Sequence, residues 1–306
     1  MLFRSLDPSR FLEGRLPLDA GAAEAAIADR VAGPLGTTVE RAAHVIVEVA
    51  SATMARALRV VTVGRGRDPG VLPLVAFGGA GPLHAVRLAE ELGAPRVLIP
   101  PLPGFVSALG LLATELRTEV ATTVLRSGRR GVSPAGLRRS VSKMARSARA
   151  RLGPDAEDAA VALALDCRYE GQGYEITVPL SSPTADGVAG ARRAFHQLHD
   201  ARYGHSAPEE PVELVTLRVT AVTPGAGFAP ARLQPGAQPT PIDVRKVFSG
   251  DAWVDTPTFE RSSLPPRWRA PGPLLVLEGE SSTWLPTGWS VTVDETGTLE
   301  ATRATR

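Results

Sequence analysis

The spacing of apolar residues predicts two helices near the start of the chain. Apolar side chains recur close to helical spacing at Val45, Val49, Ala52, Met54, Leu58 and Val61. This spacing predicts one long helix over roughly 38–63, with Thr37 or Thr38 as its N-cap. The alanine-rich segment before it, residues 21–32, predicts a shorter helix that ends near Gly33-Pro34.

A strand, a glycine-rich turn, a helix and a second strand are predicted over residues 72–100. The run at 72–77 is apolar without polar alternation, which is typical of a central parallel strand covered on both faces. It leads into the turn Gly78-Gly79-Ala80-Gly81 and a helix that Gly93 closes. A second apolar strand follows at 96–100. The whole segment predicts a βαβ unit with a right-handed crossover.

The composition changes after residue 126. An arginine-rich, mostly helical segment covers residues 127–158, and its charge is typical of a solvated helix face. From residue 159 onward the pattern predicts mainly strands, interrupted by a helix at about 187–202. The chain is therefore predicted to divide into residues 1–126, a helical connector over 127–158, and a β-rich part over 159–306.

Composition narrows the possible functions. The chain has 306 residues, long enough for two domains, and a formal charge of +2, which is too balanced to indicate nucleic-acid binding. Its single cysteine, Cys167, excludes a disulfide within the chain and argues against a cysteine-based zinc site. No segment has the apolar pattern of a signal peptide or a membrane span. We therefore expect a cytoplasmic protein with no membrane and no nucleic-acid partner.

The glycine turn allows two interpretations. A strand that runs into glycines and then into a helix N-terminus presents unpaired N–H groups to an anion such as a phosphate. Alternatively, Gly78, Gly79 and Gly81 serve only to make a sharp strand-to-helix connection. The turn matches neither the Walker phosphate loop nor the six-residue Rossmann fingerprint, so the pattern alone leaves both possibilities open.

Several segments resemble the hydantoinase A/5-oxoprolinase family, which includes N-methylhydantoinase subunits and the β subunits of acetone carboxylases. The most specific block is FGGAGPLHA, within a longer match over residues 74–119. The other matching segments, in the order of the family, are 6–19, 50–69, 167–180, 203–219 and 272–300. The resemblance therefore covers nearly the whole chain.

The resemblance implies an α/β fold in which a partial actin/sugar-kinase-like ATPase domain, residues 1–126, is followed by a β-rich C-terminal domain. It implies ATP and magnesium as cofactors. Gly78, Gly79, Ala80 and Gly81 would lie against the adenosine side of the nucleotide, and His84 matches a histidine of the family block. His84 could contact nucleotide or substrate, or it could pack beside its own turn.

The sequence also departs from the family pattern. Family members carry an N-terminal phosphate loop of the form GxDxGGTxTD and a second glycine-rich phosphate element, and neither occurs in these 306 residues. We therefore expect the chain to be incomplete for ATP hydrolysis on its own. The expected partners are a hydantoinase B-like second subunit, a separately encoded N-terminal half, or both.

The function implied by the resemblance is part of an ATP-dependent cyclic-amide hydrolase of the hydantoinase or 5-oxoprolinase type. ATP would phosphorylate the ring amide oxygen, and water would then open the ring. Two alternatives stay open, a subunit of an ATP-dependent ketone carboxylase and a non-catalytic, partner-binding fragment. No residue of the chain can be assigned as the general base.

Other residue clusters allow both a functional and a structural role. His196, His199 and His205 could ligate a metal, or they could form local hydrogen bonds on a helix. Glu170 and Glu175 could act as acid and base, or they could be solvated at a strand end. Cys167 is expected to be a small buried hydrophobe. The four tryptophans, all beyond residue 250, are expected to pack in a core or a subunit interface.

Overall fold

A computed structural model describes residues 6, 8–12, 14–126, 133–153, 156, 158–225, 227 and 229–303. The first residues of the predicted connector, 127–132, lie outside the described residues. The α-helices are, in chain order, α1 Ala20–Ile27, α2 Gly33–Leu35, α3 Val39–Val61, α4 Gly81–Leu92, α5 Val106–Ala113, α6 Pro134–Leu152 and α7 Ala185–Tyr203.

The strands fall into three sheets. In chain order they are β1 Leu74–Val75, β2 Arg96–Ile99, β3 Leu116–Arg126, β4 Ala160–Tyr169, β5 Ile176–Pro179, β6 Val212–Thr223, β7 Asp243–Ser249, β8 Ala252–Glu260, β9 Arg269–Pro271, β10 Leu274–Glu278, β11 Ser281–Leu285, β12 Trp289–Val293 and β13 Leu299–Arg303. The sheets have the orders β1-β2-β13-β12-β9, β11-β10-β8-β7 and β3-β6-β4-β5.

The described residues form two compact units. The first combines residues 1–111 with 229–306, and the second spans residues 112–228. This partition does not coincide with the boundaries predicted at residues 126 and 158, because β7–β13 return to the unit that holds the glycine turn. The functional division of the chain remains a prediction. No helix within the described ranges is long and apolar enough to cross a membrane.

The first unit packs helix α4 and two sheets around one apolar core. Strands β1 and β2 are parallel and joined through α4, which confirms the predicted βαβ unit. Strand β13 pairs antiparallel with β2 and extends the five-stranded sheet toward β12 and β9. The core draws apolar side chains from α4, β2, β10, β12 and β13. The C-terminal strands thus complete the sheet that the N-terminal βαβ unit begins.

The predicted strand at 72–77 is shorter and less covered than expected. Strand β1 has two residues and lies at the edge of its sheet, and Val75 and Phe77 are exposed. The prediction of a central strand covered on both faces is therefore wrong for the described chain. An unbroken apolar run shows that a strand could be buried on both faces, but it does not show that neighbouring elements are present to cover it.

The helices at the start of the chain follow the predicted pattern with one correction. Thr38 is the N-cap of α3, and its Oγ1 accepts a hydrogen bond from Arg41 N at 3.2 Å. Helix α1 does not stop at Gly33-Pro34 but continues through a π-helical turn, Ala28–Ala32, into α2. Pro34 lies in the first turn of α2, where a missing N–H is tolerated. The left-handed Gly36 ends the segment.

The second unit is an antiparallel sheet with two helices packed on it. Strands β4 and β5 form the predicted hairpin around Gly171-Gln172-Gly173, and β6 pairs with both β3 and β4. Helices α6 and α7 contribute apolar side chains to the same core as the sheet. Phe195 of α7 is fully buried there and lies edge-to-face on Tyr169, with ring centroids 4.9 Å apart.

Replacing Phe195 by alanine should lower the free energy of unfolding of the second unit by about 3–5 kcal/mol, because it removes a fully buried ring. Leu198→Ala on the same helix is the matched control, since Leu198 is 42% exposed and should cost about 1 kcal/mol or less. Urea unfolding followed by circular dichroism measures the effect. Equal losses of unfolding free energy in the two variants would contradict the burial of Phe195 in this core.

Candidate functional site

The glycine turn is shaped by two of its three glycines. Gly78 takes a φ of +87°, a left-handed conformation that strains any other residue, and its N–H donates to Pro103 O at 2.7 Å. A Cβ on Gly79 would lie 3.1 Å from the carbonyl oxygen of Glu280. A Cβ on Gly81 would meet nothing closer than 3.9 Å. The turn therefore needs glycine at 78 for conformation and at 79 for close approach of protein backbone.

Helix α4 starts directly after this turn. Its N-cap is Ala80, which has no side chain able to cap the helix, and Pro82 lies in its first turn. The positive end of the helix dipole is therefore not offset by a capping side chain. Gly93, in the left-handed region, closes the helix at its other end as predicted.

A cavity of about 680 Å³ adjoins the start of α4. One side is formed by Gly79, Ala80 and Leu83. The remaining lining comes from residues 260–262 after β8, from residues 277–282 of the β10–β11 hairpin, and from residues 6 and 9–11 near the start of the chain. The volume lies within the range of small-molecule sites in proteins. The structure thus brings the glycine turn and a C-terminal hairpin to one concave surface.

Arg261 is the buried cation of this cavity. Its Nη2 donates to Ile99 O at 3.0 Å and to Gly297 O at 2.6 Å, and its Nη1 lies 3.8 Å from Glu278 Oε2. Burial lowers the pKa of the Arg261 guanidinium, against the opposing effect of Glu278. Burial likewise raises the pKa of Glu278, although Arg261 and the N–H of Leu102 favour its charged form.

Two buried polar atoms in the cavity lining have no hydrogen-bond partner within the described part of the chain. They are Arg261 Nη1 and Ser281 Oγ, and their residues are only 9% and 7% exposed. A buried polar group without a partner typically costs about 1–3 kcal/mol. Such atoms are therefore expected where a ligand supplies the missing partner.

His84 does not share this cavity. Its side chain is half-buried, and its Nδ1 lies 3.3 Å from Ser51 Oγ of α3. Burial lowers the pKa of His84, and Arg87 lowers it further. The cavity lining includes Gly79 and Ala80 but not Gly78, Gly81 or His84. The geometry thus places His84 between α4 and α3, outside the cavity lining.

The three histidines of the second unit form a hydrogen-bonded cluster. The amide of Gln172 donates to His199 Nε2 at 2.9 Å, and His199 Nδ1 donates to the carbonyl of His205 at 2.7 Å. The hydroxyl of Tyr169 accepts from Ala207 N at 2.7 Å and shares a hydrogen bond of 2.8 Å with His196 Nδ1. These bonds tie the end of α7 to the β4–β5 hairpin.

Local hydrogen bonding, rather than metal binding, is the alternative that these contacts support. Both ring nitrogens of His199 are occupied, and burial and the nearby His199 lower the pKa of His196. No group of three or more histidine, cysteine, aspartate or glutamate side chains in the described ranges is placed to hold a metal.

The other candidate residues from the sequence lie in surroundings that favour a structural role. Cys167 is fully buried, and burial raises its pKa to about 12, so the thiol is a poor nucleophile. Glu175 lies 3.8 Å from Arg168, and Glu170 is exposed. Among the tryptophans, Trp268 and Trp289 are buried in the core of the first unit, as expected, whereas Trp253 is 43% exposed.

Sequence reasoning did not single out Arg261, Glu280 or Ser281. The hairpin lies inside the family-like segment at 272–300, and its polar residues interrupt a run of apolar strand positions, which is the one available signal. Arg261 lies in a short turn after β8 with no motif around it.

Replacing His199 by alanine should lower the free energy of unfolding by about 2–4 kcal/mol, because Gln172 and the His205 carbonyl lose their buried partner. His205→Ala is the control, since it keeps the carbonyl that accepts the bond and should cost clearly less. Denaturant titration gives both values. If zinc stabilised the unaltered chain and this gain disappeared in His199→Ala, the metal interpretation would replace the hydrogen-bonded one.

Comparisons with known proteins support the family that the sequence motifs indicate. A sequence profile of the Hydantoinase/oxoprolinase family matches residues 2–120. An uncharacterized protein of Methanocaldococcus jannaschii is 34% identical over 95% of this chain and 42% of its own length. Caprolactamase subunit alpha of Pseudomonas jessenii is 31% identical over 95% of this chain and 44% of its own length. The chain thus spans less than half the length of these relatives.

Solved structures support the same relationship. The crystal structure of ATP-dependent caprolactamase from Pseudomonas jessenii matches 98% of this chain and 45% of its own, with 30% identity and a TM-score of 0.68. Nucleotide-free acetone carboxylase matches 98% of this chain and 45% of its own, with 22% identity and a TM-score of 0.79. These neighbours confirm the predicted α/β fold, which consists of an actin-like ATPase-type part and a β-rich part. The family model, the relatives and the solved structures together support the hydantoinase/oxoprolinase family for this chain.

Proposed function

We propose that this chain supplies the nucleoside-side wall of an ATP site in an ATP-dependent cyclic-amide hydrolase. The observation that carries the proposal is the cavity beside Gly79 and Ala80, whose lining includes Arg261 and Ser281, each with one buried polar atom that has no hydrogen-bond partner among the described residues. Its volume and mixed apolar and polar lining suit a nucleoside-sized group. When bound, ATP would supply the phosphoryl group that activates the amide oxygen of the ring.

The residues described here fit one part of that site. Ala80 and Leu83 offer apolar contact at the start of α4, and Arg261 and Ser281 offer buried hydrogen-bonding groups. The chain contains no GxDxGGTxTD segment, so we assign the triphosphate to polypeptide outside these 306 residues. No magnesium ligand is assigned, since the described side chains hold no cluster of candidate metal ligands.

A partner subunit is part of the proposal. The caprolactamase relative is named as a subunit, and a relative at 26% identity over 96% of this chain is named as the beta subunit of acetone carboxylase of Xanthobacter autotrophicus. We propose that this chain likewise works with a second, hydantoinase B-like subunit or with a separate N-terminal half.

Ketone carboxylation is the second candidate, favoured by the superposition on acetone carboxylase. We expect the chain, assayed with its partner, to release phosphate from ATP when a cyclic amide is added, with or without bicarbonate. A hydrolase needs only water to open the activated ring, whereas a carboxylase needs bicarbonate as a substrate. Turnover of a ketone that requires bicarbonate, without turnover of a cyclic amide, would favour the carboxylase.

Ala80→Arg should weaken binding of Mg-ATP to the chain about tenfold or more, because the new side chain occupies the cavity. Ala50→Arg, on an exposed position of α3, is the matched control and should leave the affinity unchanged. Titration calorimetry with the 306-residue chain, alone and with its partner, provides the measurement. If neither preparation bound Mg-ATP, the chain would be a non-catalytic fragment and the proposal would fail.

A further inference from the structure

We propose that the exposed face of helix α6 is the surface on which this chain binds an acidic surface of its partner subunit. This face, which we call the basic stripe, is formed by Arg139, Lys143 and Arg146. The inference rests on the part of the proposed function that gives the chain a partner subunit. It concerns the second unit of the chain and does not depend on the cavity beside the glycine turn.

The first argument is the composition of α6. The helix contains no aspartate or glutamate, and its basic residues are Arg138, Arg139, Lys143, Arg146, Arg149 and Arg151. Helices α3, α4 and α7, in contrast, each combine acidic and basic side chains. Since the formal charge of the whole chain is only +2, the residues outside α6 together carry a net negative charge. Helix α6 therefore concentrates positive charge that the rest of the chain does not share.

The second argument is the position of these cations on the helix. The apolar side chains of α6 that are buried against the second unit are Leu137, Met144, Ala145 and Ala148. The spacing i, i+4, i+7 places Arg139, Lys143 and Arg146 together on the opposite face. All three are exposed. The basic stripe is thus one continuous surface that points away from the core.

The third argument is the absence of compensation within the described chain. Arg149 and Arg151 lie in the last turn, where the helix dipole favours a cation, and Arg149 also donates to Ala159 O at 2.8 Å. No cation of the basic stripe forms an ion pair with a described residue. Like charges three or four positions apart repel each other, so the stripe lowers the stability of the helix in the isolated chain. An acidic surface placed against it removes this repulsion.

A protein fits the basic stripe better than a membrane or a single-stranded nucleic acid. The apolar residues of α6 pack in the core of the second unit, so they are not available to enter a bilayer. The helix contains no aromatic residue on which bases would stack. Three relatives are named as subunits: caprolactamase subunit alpha, the acetone carboxylase beta subunit and the acetophenone carboxylase gamma subunit. A partner subunit is therefore the occupant that we assign.

The test measures how fast the 306-residue chain associates with its hydantoinase B-like subunit, by surface plasmon resonance at low and high salt. The stripe variant combines Arg139→Gln, Lys143→Gln and Arg146→Gln. Its association rate constant at low salt should fall about tenfold, and the salt dependence should weaken, because exposed charges act mainly on the encounter of two proteins. Urea unfolding should show that the variant is at least as stable as the unaltered chain, since like-charge repulsion is relieved.

Two further variants separate the stripe from net charge and from helix packing. Arg56→Gln, Arg65→Gln and Arg67→Gln together remove the same charge from exposed positions of the first unit, and this control should leave the association rate unchanged. Arg139→Lys with Arg146→Lys keeps the charge of the stripe and should keep the rate. Slow association in the lysine variant would contradict an electrostatic role.

Two labelled probes of equal charge, an oligoglutamate peptide and an oligothymidylate, identify the class of ligand by fluorescence anisotropy. Oligoglutamate should bind the unaltered chain and lose about tenfold in affinity in the stripe variant. Tighter binding of oligothymidylate, lost in the stripe variant, would assign the stripe to nucleic acid and overturn the inference.

Failure of the inference is distinguishable from failure of the proposed function. If the stripe variant associates with the subunit as fast as the unaltered chain, the stripe is a solvated face and the inference fails, while the proposed partner stands. If the chain and the subunit do not associate at all, the proposed partner and the inference fail together. Binding of Mg-ATP tests the nucleotide part of the proposed function separately from both.

Discussion

The buried guanidinium of Arg261 holds the first unit together. It bonds the carbonyl of Ile99 at the end of β2, the carbonyl of Gly297 just before β13, and approaches Glu278 at the end of β10. Strands β2 and β13 belong to one sheet and β10 to the other, so a single side chain links the two sheets. Removing one partner of such a buried pair typically costs about 3–5 kcal/mol, since the other charge stays buried.

The shape of the cavity depends on this link between the two sheets. With β10 fixed, the hairpin turn lies against the glycine turn, where Gly79 and Gly104 both face Glu280 closely enough that added Cβ atoms would press on it. Trp289 strengthens the arrangement from the opposite end of α4, because its Nε1 donates to Glu90 at 2.9 Å. The start of α4 and the hairpin are therefore held at a fixed separation, as a preorganised binding surface requires.

The second unit uses a buried histidine in the same way. His199 joins the Gln172 turn of the β4–β5 hairpin to the carbonyl of His205 beyond α7. Two of the family-like segments, 167–180 and 203–219, thus meet at one imidazole. Packing and hydrogen bonding between a helix and a hairpin bring these two segments together.

The sequence by itself determined the local elements, because helix caps, apolar spacing and glycine turns act over a few residues: the Thr38 cap, the βαβ unit and the Gln172 hairpin all follow from it. Its motifs also indicated the hydantoinase/oxoprolinase family, which the comparisons support. Only the tertiary structure decided that β1 is an edge strand and that Arg261 and Ser281 line the cavity of Gly79. Those contacts join residues about 180–200 positions apart, and no local pattern encodes which distant strand supplies the facing wall.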